Sequence, residues 1–213
     1  VFYGNKVWWD IMGDPPKDAE VVEIVGQQFA WKTRYPGKDK KLGSHDFRLI
    51  DAVNELGINF ENKESDDDFV SGKVVIPANR PILFKIRAKD VLHSVYAPHF
   101  RLKMDAVPGM PTQFHFTPTK TTAEMRAELN NPEFNFEIAC TEVCGKGHYS
   151  MRLLVEVLDE YAYQKWYASQ EPFLKQNPEY IDRGLNWLRK NKNVANKKES
   201  QKEIRRTAQA KID

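Results

Sequence analysis

Cysteine is nearly absent from this chain: its 213 residues include only two. That excludes a small disulfide-stapled scaffold, which needs several pairs. Long apolar runs are missing as well. With no stretch of eighteen or so such residues, the sequence holds no membrane-spanning helix. There is no secretory leader pattern, and the first residue is Val1 rather than Met, so an upstream portion is expected. Glycine (11) and proline (12) are too few for a fibrous or low-complexity chain. What is present is 41% hydrophobic content, enough for one compact domain with a sizeable core and appendages.

The formal charge is only +2 and unevenly spread. From Arg189 onward there are nine basic residues against three acidic ones, which leaves 23 basic and 27 acidic residues in the body. The mildly acidic body suits a basic partner. The basic tail reads as a solvated helix face rather than a nucleic-acid arm, so no nucleic acid is expected as a partner. At the other end, "VFYGNKVWWDIM" mixes Phe2, Tyr3, Trp8 and Trp9 with Lys6. Such a mixture suits a membrane–water interface at the end of a span, or an ordinary surface-packed helix.

Residues 1–20 read as a membrane-proximal segment and linker, broken by Gly13, Pro15 and Pro16. "VVEIVGQQFAWKTRY" is rich in β-branched and aromatic residues and reads as strand. Ala52–Asp68 is polar and predicts an irregular excursion ending in a solvated acidic loop, "ESDDD". β signal returns at Val74–Ile76 and Ile82–Arg87 and continues in "LHSVYAP", "LKMDAVPG", "TQFHFTP", "FNFEIAC" and "RLLVEVL". Several short strands separated by turn signals predict an all-β sandwich or small barrel over 21–158. "TTAEMRAEL" predicts a short inserted helix. From 159 to 213 the period becomes helical, with Asn177 as an N-cap and Pro178 at the first helical position of a further helix.

Both cysteines fall in "CTEVCGKGHYSM", where Cys140, Cys144, His148 and Met151 place four soft or borderline ligands in twelve residues. Two cysteines this close could form a disulfide, and two Cys with one or two His could hold zinc. Zinc does not call for a methionine. Thiolate, imidazole and thioether together point to copper. One Cys, two His and a weak axial Met make a mononuclear blue-copper set, with His93 of "DVLHSV" as the upstream imidazole. That set leaves one cysteine over. Two thiolates can instead bridge two coppers, with His93 and His148 each serving one ion, Met151 binding weakly and a loop carbonyl completing the set.

The loop "CTEVCGKGHYSM" resembles the C-x-E-x-C-x-x-x-H-x-x-M loop of the dinuclear CuA site. "DVLHSV", "LKMDAVPG" and "GQQFAW" are similar to further segments of the same family, the water-exposed domain of cytochrome c oxidase subunit II. The resemblance runs from about Val21 to Trp166. It implies a cupredoxin Greek-key sandwich or barrel with a helical C-terminal extension, preceded in the family by two membrane helices that this chain lacks. It implies copper ligands at His93, Cys140, Cys144, His148, Met151 and the carbonyl oxygen of Glu142, whose side chain would help bind magnesium or manganese shared with subunit I.

The implied role is an electron relay of a haem-copper terminal oxidase. Electrons would come from a cytochrome c and pass on the His148 side to haem in subunit I, where oxygen is reduced to water. The family takes electrons in through an aromatic patch, usually Q-W-x-W. Here Phe29 stands at the first Trp and Trp31 at the second, and both also suit plain sheet packing. Asp90 matches a carboxylate that docks basic cytochrome c. The domain would face the periplasm from the inner membrane, or the intermembrane space in a mitochondrion. The nitrous oxide reductase CuA domain uses the same loop but adds a propeller not seen here. A copper chaperone would need exchangeable, exposed ligands. His45, His99 and His115 match no ligand position.

Overall fold

The structure, a computed structural model, describes residues 1–180. It opens with a helix, α1 (Phe2–Met12), followed by strands β1 (Glu20–Gln27), β2 (Ala30–Tyr35), β3 (Phe69–Ser71), β4 (Val74–Pro77) and β5 (Ile82–Ala88). β6 (His93–Ala97), β7 (Leu102–Ala106) and β8 (Thr112–Phe116) precede a helix, α2 (Thr122–Glu128). β9 (Phe136–Cys140) and β10 (Arg152–Leu158) complete the strands, and α3 (Glu160–Ala168) and α4 (Phe173–Gln176) follow. The ten strands form two five-stranded sheets, in the orders β3-β2-β1-β5-β8 and β4-β10-β9-β6-β7. Neighbours are antiparallel except β1 with β5 and β4 with β10. This is the all-β, cupredoxin-type sandwich expected, with helices at its C-terminal side.

Between the sheets lies one apolar core, with Val22, Ile24, Phe84, Ile86, Val95, Ile138, Val155 and Val157 buried in it. These residues alternate along their strands, as a face turned inward requires. The short helix expected at "TTAEMRAEL" is present. Its capping box joins the Thr121 side chain and Glu124, each satisfying the other's free backbone N–H. Of the C-terminal extension, α3 is capped by Asp159 and lays Trp166 edge-on to Tyr35, with ring centroids 5.3 Å apart. The helix expected from Asn177 and the basic tail from Arg189 fall largely outside the described residues. α1 buries no residue and leaves Phe2, Tyr3, Trp8 and Trp9 exposed.

Two expectations need correction. "VVEIVGQQFAWKTRY" is not one strand but a hairpin: the chain reverses at Gln28 and Phe29, and Gln27 pairs with Ala30. The cause is tertiary. Asp90 accepts a 2.8 Å hydrogen bond from the Gln28 N–H, and the Phe29 ring lies against Gly145 and Gly147. The "ESDDD" loop is not simply solvated either, since Ser65 and Asp68 are buried. The excursion from 36 to 68 folds over the outer face of the first sheet, where Leu56 and Ile58 pack on Val25. That covers the polar residues which would otherwise face water. Glu23, Arg34 and Arg87 are all buried there. Arg87 Nε meets Glu23 Oε1 at 2.9 Å, and Asp68 Oδ2 accepts from Arg34 Nε at 3.1 Å and from the Gly43 N–H at 3.1 Å.

Candidate metal centre

The ligand loop spans the gap between β9 and β10. Cys140 is the last residue of β9 and Met151 immediately precedes β10. Its base is closed by the Cys140 N–H donating to the Met151 carbonyl at 3.1 Å. His93 opens β6, which pairs with β9 through Val95 and Cys140. Strand pairing therefore brings an imidazole to a thiol 47 positions away in sequence. Three glycines make the close packing possible. A Cβ on Gly26 would lie 2.8 Å from the His93 ring, and one on Gly147 would lie 2.4 Å from Phe29. Gly145 has φ +133°, in the region that suits a residue without a side chain.

The donors gather around two sulfurs. Cys140 Sγ lies 3.9 Å from His93 Nδ1 and donates to the Glu142 carbonyl at 3.2 Å. Cys144 Sγ lies 3.7 Å from His148 Nδ1 and 3.4 Å from Met151 Sδ. His93, Cys140 and Cys144 place their ligand atoms within 4.8 Å of one another, and all three are buried. His148 falls outside that mutual group and approaches from the Cys144 side. Both cysteines are free thiols. Burial, then the neighbouring Cys140, pushes the Cys144 thiol up to about 11. A cation would reverse that pressure by stabilising the thiolate. One tetrahedral ion would need both imidazoles on a common centre. Here His93 lies against Cys140 and His148 against Cys144, a set of thiol, imidazole and thioether donors that fits copper.

The second layer is as specific. Asp90 Oδ1 meets His93 Nε2 at 2.9 Å, which turns the other ring nitrogen toward Cys140. Burial alone would raise the Asp90 carboxyl, but hydrogen bonds from the Gln28 N–H, His93 and the Val91 N–H hold it below the ordinary carboxylate range. Replacing Asp90 with alanine is expected to weaken metal retention about 10–100-fold, measured by competition with a chelator, while the fold is kept. Trp31, only 5% exposed, stands edge-on to His93 with centroids 5.8 Å apart and directs its indole N–H at the Met151 carbonyl, 3.4 Å away. Phe29 is 39% exposed and covers the loop from outside. The structure thus brings all nine sequence-identified residues to one end of the sandwich. Sequence reasoning missed Gln28, whose side-chain amide donates to the Cys144 carbonyl, although it lies in the quoted "GQQFAW".

A two-sheet sandwich holding thiolate, imidazole and thioether donors at one end defines the cupredoxin class of metal-binding domains. Within that class, residues 20–158, more than half of the chain, match the family described as Cytochrome C oxidase subunit II, periplasmic domain. The chain belongs to this family. It is 40% identical over 172 residues to the alternative cytochrome c oxidase subunit 2 of Bradyrhizobium diazoefficiens, covering 80% of this chain and 57% of that one. It is 30% identical over 163 residues to cytochrome c oxidase subunit 2 of Cereibacter sphaeroides, covering 71% and 49% respectively. The chain therefore spans about half the length of these curated relatives. Among solved structures, the periplasmic domain of subunit II of the Bradyrhizobium japonicum cytochrome oxidase, CoxB, superimposes with a TM-score of 0.50. That likeness has 25% identity and covers 73% of this chain and 96% of CoxB.

Proposed function

We propose that this domain is the electron-accepting part of a haem-copper terminal oxidase and holds a dinuclear copper centre of the CuA type. The ligands would be His93, Cys140, Cys144, His148, Met151 and the Glu142 carbonyl. The observation that carries this reading is the pairing of each thiol with its own imidazole, Cys140 with His93 and Cys144 with His148. Bound there, the copper pair supplies a one-electron relay whose charge is shared over both ions, so little rearrangement accompanies transfer. The protein's own share is rigidity and dryness. Five of the donors sit between two strand ends, with buried Trp31 against His93 and Phe29 packed on Gly145 and Gly147. In this role the domain takes electrons from a cytochrome c on the face carrying Phe29 and Asp90, with Trp31 behind it. It passes them to haem in the catalytic subunit I, where oxygen is reduced to water. The Glu142 side chain, partly exposed, is free to join subunit I in holding magnesium or manganese. The exposed aromatics of α1 suit the outer surface of an inner membrane, reached through preceding helices.

The test is copper content per chain together with the EPR spectrum of the oxidised protein. Two coppers and one unpaired electron shared equally between them are expected. One copper with a localised electron, or zinc in its place after careful copper loading, would sink the reading. A related expectation concerns the metal-free form. Its two thiols lie close together in an oxidising compartment, so they should form a disulfide in air, and copper loading should need a reductant. Thiol titration of the apo protein over hours checks this, and two thiols persisting indefinitely in air would contradict it.

A further inference from the structure

The middle of the ligand loop is lightly fastened. Over residues 142–150 the backbone hydrogen bonds close small turns: the His148 N–H donates to the Gly145 carbonyl at 3.1 Å and the Ser150 N–H to the Gly147 carbonyl at 3.0 Å. Among the described residues, a single hydrogen bond joins this stretch to a residue outside the loop 140–151. Gln28 donates it, from its side-chain amide to the Cys144 carbonyl. The fit there is close, since a Cβ on Gly145 would lie 3.1 Å from the same amide nitrogen. Phe29, next in the hairpin turn, lies against Gly145 and Gly147.

Gln28 is held from the other side as well. Its backbone N–H donates to Asp90 Oδ2 at 2.8 Å, while Asp90 Oδ1 meets His93 Nε2 at 2.9 Å. Gln28 therefore stands between two arms of the donor set. One arm is His93, carried by β6. The other is Cys144, with His148 Nδ1 at 3.7 Å and Met151 Sδ at 3.4 Å from its sulfur. The chain of contacts His93–Asp90–Gln28–Cys144 ties one arm to the other and uses neither His93 Nδ1 nor a sulfur. Gln28 is itself exposed, so replacing it removes no core packing.

We propose, resting on the functional reading above, that Gln28 is a positioning residue of the copper centre: its amide holds the Cys144 arm in place relative to the His93 arm, with Asp90 as the anchor common to both. Outer-layer partners of this kind orient ligands and tune the metal they hold. Two ions share an electron equally only when their donor fields match, and a loop free to shift on the Cys144 side would unbalance them. Water can replace the amide on the Cys144 carbonyl, but it cannot fasten the loop to the hairpin. One hydrogen bond of this kind corresponds to about tenfold at most in an equilibrium.

The experiment compares the copper-loaded full chain with its Gln28→Glu and Gln28→Ala variants. Glutamate keeps the shape of the side chain but, ionised, has no hydrogen to donate, whereas alanine removes both. Copper release to excess EDTA at neutral pH should quicken about fivefold to tenfold in both variants, and EPR of the oxidised protein should show the electron shared unequally. In an Asp90→Ala background, Gln28→Glu should add less than about twofold, because the tie is already cut. With metal absent and the thiols kept reduced, the His148 and Ser150 amide hydrogens should exchange at least about threefold faster in both variants. Wild-type release and spectrum in Gln28→Glu would overturn the proposal, whatever alanine does. So would full additivity with Asp90→Ala, or unchanged amide exchange in the metal-free variants. A parent chain lacking two coppers and the shared-electron spectrum would instead overturn the underlying reading, and this one with it.

Discussion

Cys140→Ser, on the proposed dinuclear centre, is expected to reduce copper from two ions per chain to one, replace the shared-electron spectrum by a localised one, and slow electron uptake from reduced cytochrome c more than about a hundredfold. That exceeds the 10–100-fold range expected for outer-layer residues. The reason lies in which donors remain. Without Cys140, His93 loses its sulfur partner at 3.9 Å, and the Glu142 carbonyl no longer faces a thiol. Cys144, His148 and Met151 stay within 3.4–3.7 Å of one another along the chain of contacts through Cys144 Sγ. With His93 nearby, these supply one thiolate, two imidazoles and one thioether, the mononuclear blue-copper complement. Serine cannot replace the bridge, because its hydroxyl is a hard donor that resists ionisation. Metal analysis and EPR on the same sample check the prediction. Retention of two coppers with a shared electron would contradict it.

Arg34→Met is expected to destabilise the domain by about 3–5 kcal/mol, the cost of stranding a buried charge. Arg34 is fully buried and serves two carboxylates, Asp68 through Nε and Nη2 and Glu23 through Nη1 at 3.6 Å. Burial pushes the Asp68 carboxyl up to about 6, against the pull of Arg34. Without the guanidinium that carboxyl rises further, so the folded variant holds a proton that the unfolded chain has released. Its stability must then fall as pH rises above the ordinary carboxylate range. The loss should be larger at pH 8 than at pH 5. Urea unfolding at both pH values, with the metal state held fixed, measures it. The paired variant Arg34→Met with Asp68→Leu should recover much of the loss, because an apolar replacement of a buried pair is often close to neutral. Equal losses at both pH values would show that Arg34 acts through packing alone.

The readable parts of this protein are those in which chemistry and spacing share one segment. Five donors lie in twelve consecutive residues, and no fold knowledge is needed to see that they belong together. His93 could be proposed from its place after an apolar run near a strand boundary, and the resemblance then gave it the same role. Its contact with Cys140 depends on β6 pairing with β9, which no local pattern announces. The hairpin at Gln28 and Phe29 was hidden for a similar reason. Its turn has neither the glycine nor the asparagine that usually marks one, and partners from two distant loops hold it in place. Asp90, expected at the partner face, also bonds His93 and two backbone amides, contacts that a positional match does not announce. The burial of Glu23, Arg34 and Asp68 was equally illegible. Glu23 and Arg34 alternate with the core residues of their strands and so face outward, and only the returning excursion, which brings Asp68, covers them.

The division of donors between one loop and a separate strand also sets an order of assembly. The loop alone can offer sulfur, imidazole and thioether from the moment it is synthesised. The His93 side exists only after β6 has docked on β9, a long-range pairing of the kind that forms late and slowly. A metal arriving early would meet a flexible partial ligand set and could freeze the wrong arrangement. One arriving late finds a finished receptacle whose two thiols are already buried. On this order, metal is expected to enter the folded domain from outside, across the solvent-facing side of the loop at Val143, Lys146 and Tyr149.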